Sequence, residues 1–66
     1  MKIFFNDESR EMADGASIAE LLSTLKLEPR HVAVEVNYQL VPRQRHSQHL
    51  LMEGDRLEVV TLVGGG

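Results

Sequence analysis

The chain has 66 residues, 42% hydrophobic and 26% charged, with a formal net charge of -3, the composition of one small globular domain whose core is thin. It has no cysteine, which excludes a disulfide framework, a thiolate metal site and a cysteine nucleophile, and fits a cytoplasmic setting. The acidic balance argues against a nucleic-acid partner, and neither a signal peptide nor an apolar run long enough to cross a bilayer is present, so no membrane role is expected.

Met1-Lys2-Ile3-Phe4-Phe5 alternates loosely and predicts a strand with Met1, Ile3 and Phe5 on one face. Asn6-Asp7-Glu8 predicts a turn, because Asn and Asp tolerate turn backbone and bond their own main chain. A second short strand over 9–13, with Met12 inward, completes an N-terminal hairpin. Ser17-Ile18-Ala19-Glu20 then has the form of a capping box, the serine hydroxyl accepting from the Glu20 amide and the glutamate reaching back. Ile18, Leu21, Leu22 and Leu25 follow at i, i+3, i+4 and i+7, one apolar stripe on a helix. Pro29 limits how far that helix can run.

The segment 31–36 alternates with Val32, Val34 and Val36 on one face, so it reads as a strand. Asn37-Tyr38-Gln39 is expected to turn into a short strand, Leu40-Val41, stopped by Pro42. The polar stretch 43–49 reads as a loop with a helical turn, and Leu50-Leu51-Met52 as a return to the core. Glu53-Gly54-Asp55 marks a tight turn before a last strand over 56–63. On that strand Leu57, Val59 and Thr61 share one face and Val60 and Leu62 the other. The expectation is therefore a two-layer α+β domain, one helix on one face of a sheet of four or five strands. The other face is left open, and Val60 and Leu62 on it form a candidate docking patch.

Little in this chain suggests catalysis. His46-x-x-His49 with His31 elsewhere lacks a carboxylate or thiolate cluster and is read as loop histidines, so no metal is expected. No serine sits in a strained elbow, and Ser17 is accounted for as a cap. Gly64-Gly65-Gly66 is no phosphate loop, since no helix follows it. Arg43 and Arg45 form either a docking patch or a solvated loop. The remaining unusual group is the end itself, where a hydrophobic strand runs into bare glycine. Residues without Cβ can thread a narrow channel, so the Gly66 carboxylate is the candidate reactive group; the rival reading is a flexible terminus without function.

Taken in order, Ile3-x-x-Asn6, Ser17-Ile18-x-Glu20-Leu21-Leu22, Val32-Ala33-Val34-x-Val36-Asn37, Val41-Pro42-Arg43, Gly54-Asp55 and the terminal Gly65-Gly66 make a specific set. The chain resembles, over nearly its whole length, the ThiS family of thiamine-biosynthesis sulfur carriers, which have the ubiquitin-like β-grasp fold. The resemblance implies a single domain over 1–66, with a mixed sheet and a flexible tail, 64–66, that protrudes. It also implies that a ThiF-type adenylating enzyme, using ATP and magnesium, activates the Gly66 carboxylate. Sulfur from a persulfide donor would then give a thiocarboxylate, which a thiazole synthase (ThiG) consumes. The carrier would bind no cofactor and would be a co-substrate rather than an enzyme. Gly64 and Gly65 would enter partner active sites as part of the tail, with Val60, Leu62, Val63 and Arg43 as the docking surface. Rival readings are the sulfur carrier of molybdopterin synthase, a ubiquitin-like protein modifier and a plain interaction module.

Overall fold

The computed structural model describes residues 1–62. The expectations placed on Val63, Gly64, Gly65 and Gly66 lie outside the described residues. Five strands and one α-helix follow the order β1 (Lys2–Phe5), β2 (Glu8–Glu11), α1 (Ile18–Thr24), β3 (Val32–Val36), β4 (Gln39–Val41), β5 (Arg56–Thr61). Short 3-10 turns at Pro29–His31 and Arg43–Arg45 complete the order. The strands form one sheet in the order β2-β1-β5-β3-β4. β1 and β5 are parallel and the other pairs antiparallel, so the last strand is the central one. No helix among the described residues is long and apolar enough to cross a membrane.

Both hairpins turn more tightly than the sequence suggests. Phe5 pairs with Glu8 and Val36 with Gln39, so Glu8 and Gln39 belong to strands rather than to three-residue turns. The two-residue loops Asn6-Asp7 and Asn37-Tyr38 have positive φ throughout, at 46° and 71° and at 51° and 69°. That is the backbone whose twist matches paired strands. Because the first turn is short, β2 covers Glu8–Glu11 instead of 9–13. Met12 follows the strand, half-buried against the core, and exchanges main-chain bonds with Met1: its N–H donates to the Met1 carbonyl at 2.8 Å, and the Met1 amine donates back at 2.7 Å.

The helix begins as expected. Ser17 Oγ accepts from the Glu20 amide at 3.1 Å, and Glu20 Oε1 accepts from the Ser17 amide at 3.0 Å. It ends at Thr24, well before Pro29, through a Schellman closure. The Lys26 amide donates to Ser23 and the Leu27 amide to Leu22, with Lys26 at φ 59°. Leu25 is thus the C-cap, packed at the edge of the core rather than inside the stripe. Ile18, Leu21 and Leu22 are fully buried against Ile3, Val32, Val34, Val36, Val41, Leu51 and Leu57. Burying each large side chain is worth about 1.5–3 kcal/mol, which makes this layer the source of most of the domain's stability.

The segment between β4 and β5 closes the open end of the helix. The Ile18 amide donates to His49 O at 3.1 Å and the Ala19 amide to His46 O at 3.0 Å, while the Leu51 amide donates to Ala16 O at 2.8 Å. With the capping box, these carbonyls satisfy first-turn amides that a helix leaves unpaired. Two expectations are corrected here. His46 does lie in the turn that follows Arg43–Arg45, but its side chain is turned inward and not part of a polar surface: the residue is only 4% exposed, with Nε2 3.2 Å from the Val41 carbonyl. Of Leu50-Leu51-Met52 only Leu51 is buried; its neighbours face outward, as alternation in an extended segment requires.

Candidate functional site

β5 delivers the chain towards its end, and two asparagine side chains fasten it. Asn6 Oδ1 accepts from the Val59 amide at 2.8 Å and Asn6 Nδ2 donates to the Val59 carbonyl at 3.2 Å. The carboxamide therefore acts as a further rung after β1 itself has turned away. On the other side, Asn37 Oδ1 accepts from the Arg56 amide at 3.1 Å and Nδ2 donates to Asp55 Oδ1 at 3.1 Å. Asp55 Oδ2 in turn accepts from the Met52 amide at 2.9 Å, closing the turn in which Gly54 adopts φ +84°. The sequence identifies Asn6 and Asn37 only as turn formers; their hold on β5 needs the strand order, which no local pattern contains.

β5 alternates as expected. Leu57 is buried and Val59 packs against the core, whereas Val60 is 61% and Leu62 40% exposed. Beyond the strand the Leu62 amide still donates to His31 O at 2.7 Å, so pairing with the β3 side persists to the limit of the described residues. Val60 and Leu62 thus come together on the outer face. Arg43 does not join them directly: it is exposed at the start of the turn after β4, with β3 between its strand and β5. The proposed docking residue Val63 and the glycines 64–66 lie beyond the described residues.

The remainder of the outer face follows from register. Phe4 lies beside Arg56, whose guanidinium is 5.4 Å from the ring centroid, and Lys2 Nζ is 5.6 Å from the same ring. Arg56 also pairs with Asp7 at 3.2 Å. Further along, Glu58 stands opposite Glu35, Glu35 opposite Leu40, and Val60 opposite Ala33. The face is therefore graded, with a cation-aromatic end near the first hairpin, two carboxylates in the middle and apolar side chains towards the chain end. Among the described residues no three His, Cys, Asp or Glu side chains gather in a way that could hold a metal.

A family model described as the ThiS family matches residues 3–66. The chain belongs to the ThiS family. The sulfur carrier protein ThiS of Escherichia coli is 35% identical over 66 residues, which is 100% of each chain. A thiazole synthase of Paramagnetospirillum magneticum is 38% identical over the same 66 residues, and there the chain spans only 20% of the relative's length. The crystal structure of the thiamine biosynthesis protein ThiS from Geobacter metallireducens matches with a TM-score of 0.86 and 29% identity, covering 100% of both chains. The mixed five-stranded sheet on one helix is accordingly the β-grasp fold of ThiS proteins.

Proposed function

We propose that this chain is a sulfur carrier in thiamine biosynthesis, working by its C-terminal Gly66 carboxylate and performing no catalysis of its own. The observation that carries the reading is the end-to-end match with the Escherichia coli sulfur carrier, which runs through the terminal glycines. A carboxylate is a poor electrophile, so a ThiF-type enzyme with ATP and magnesium first converts it to an acyl-adenylate, releasing pyrophosphate. A persulfide sulfur then displaces AMP, and a thiol reduces the resulting acyl disulfide to leave the thiocarboxylate. Thiazole synthase takes up that sulfur. The thiazole synthase relatives, in which a segment like this chain is part of the same polypeptide, support that choice of partner. Adenylation and transfer both require the end to enter a buried site, and Gly64 and Gly65 suit such a passage because they present no side chain. We place the carrier in the cytoplasm with these enzymes.

The test is the intact mass after incubation with a ThiF-type enzyme, MgATP and a persulfide donor. A gain equal to the exchange of one oxygen for sulfur, absent when Gly66 is deleted, is expected. No gain, with the enzyme active on its own carrier, would overturn the reading. Gly65→Ala should slow adenylation and sulfur transfer while leaving the thermal transition unchanged; an unaltered rate would remove the channel argument.

A further inference from the structure

The outer sheet face carries a pairing that is unfavourable in the isolated chain. Glu35 and Glu58 are direct cross-strand partners in the β3–β5 ladder. Residues so placed project from the same face at short range, where like charges repel. The ion pairs among the described residues join the Met1 amine, Arg30 and Arg56 to Glu11, Asp14, Glu28 and Asp7. Neither Glu35 nor Glu58 takes part in one. Arg56, two residues before Glu58 and on its side of β5, is already occupied by Asp7 and the Phe4 ring. Away from Arg56 the pair is flanked by apolar side chains: Leu40, opposite Glu35, is 65% exposed, and Val60 follows Glu58 on the same face.

We propose that this face docks on the activating enzyme by receiving one of its arginine or lysine side chains between Glu35 and Glu58, with Leu40 and Val60 covering the contact. The inference rests on the carrier reading and specifies the chemistry of its first partner. An enzyme that brings a carboxylate together with a nucleoside triphosphate must surround them with cations to stabilise the charge that develops. The surface that receives the tail is therefore basic, the complement of this acidic pair. Glu58 lies on β5, the strand that leads to the tail, so the charged contact and the entering end engage the same surface. Apolar side chains around the pair exclude water and strengthen the contact once it is formed.

Pyrophosphate release by the ThiF-type enzyme, with the chain as the varied substrate, tests this alongside thermal melts of each free variant. Glu35→Gln and Glu58→Gln should each raise KM by about tenfold, with kcat held, while raising the melting temperature of the free chain. Glu58→Lys, which replaces repulsion with attraction inside the free sheet, should give the highest melting temperature and the weakest docking. Glu8→Gln, the same loss of charge on the far edge strand, should leave KM where it is. Raised salt should increase the wild-type KM more than that of the Glu35→Gln/Glu58→Gln double variant. Wild-type turnover with unchanged KM in the Glu35 and Glu58 variants would overturn the docking contact and leave the carrier reading intact. A wild-type chain that is not adenylated would overturn both.

Discussion

Asn6 holds both main-chain groups of Val59, accepting its N–H at 2.8 Å and donating to its carbonyl at 3.2 Å. A side chain thus performs the work of a strand residue, at a point where the first hairpin has already turned back with Asn6 at φ 46°. Asn6→Ala removes both bonds and the residue type that tolerates this backbone. The expected cost is about 1–3 kcal/mol, read as a lower urea midpoint. Faster hydrogen exchange at the Val59 amide should accompany it. An unchanged midpoint would mean that water replaces the carboxamide without loss.

His46 lies under the segment that closes the helix N-terminus, its Nε2 on the Val41 carbonyl and its own carbonyl on the Ala19 amide. His46→Ala leaves a cavity beneath that segment and removes the bond to Val41, with an expected loss of about 2–4 kcal/mol. Exchange at the Ile18 and Ala19 amides should quicken before that of the central strands. Uniform acceleration would show that the segment opens only with the whole domain.

Lys26 occupies the left-handed position that ends the helix, at φ 59°, where a side chain costs about 1 kcal/mol relative to glycine. Lys26→Gly should therefore stabilise the chain, and a gain of that size raises the melting temperature by about 4–8 °C in a domain this small. A fall in melting temperature would assign Lys26 a compensating contact.

The Met1 amine is held above its ordinary pKa, chiefly by its hydrogen bond to Asp14; desolvation opposes this, and the charges of Asp14, Glu11 and Glu53 add to the rise. A pKa raised on folding means that the folded chain binds the proton more tightly. The stabilisation is complete below the unfolded value, near 8, and is lost as pH rises through the higher folded value. Stability should accordingly decline on the alkaline side of pH 8, and Asp14→Asn should flatten that decline. An equal slope in the variant would detach the effect from Asp14.

Much of this architecture is legible in the residues themselves. The capping box at Ser17 and Glu20, the stripe Ile18-Leu21-Leu22 and the alternation of Val32, Val34 and Val36 are local patterns, and they fix the helix, its buried face and β3. The exposure of Val60 and Leu62 also follows from period two along β5. What the residues did not reveal depends on distant partners. His46 is buried because Val41 and the helix N-terminus lie over it, although its sequence neighbours Arg45 and Ser47 are exposed. The helix stops before Pro29 because Lys26 accepts a backbone that few lysines adopt. The opposition of Glu35 and Glu58 requires a register, and a register is a property of two strands rather than of either sequence.

The parallel pairing of β1 with β5 has a consequence for how the chain is made. Until β5 is synthesised, the earlier residues can form two separate hairpins but no common sheet, because among the described residues β5 is the strand that touches both. Each hairpin meanwhile presents a bare edge, β1 on one and β3 on the other, of the kind that recruits stray strands. Completion is therefore a late, long-range event, slow compared with helix formation. A nascent chain halted before Arg56 has nothing to join its halves, whereas a separate peptide spanning β5 has a slot waiting between them.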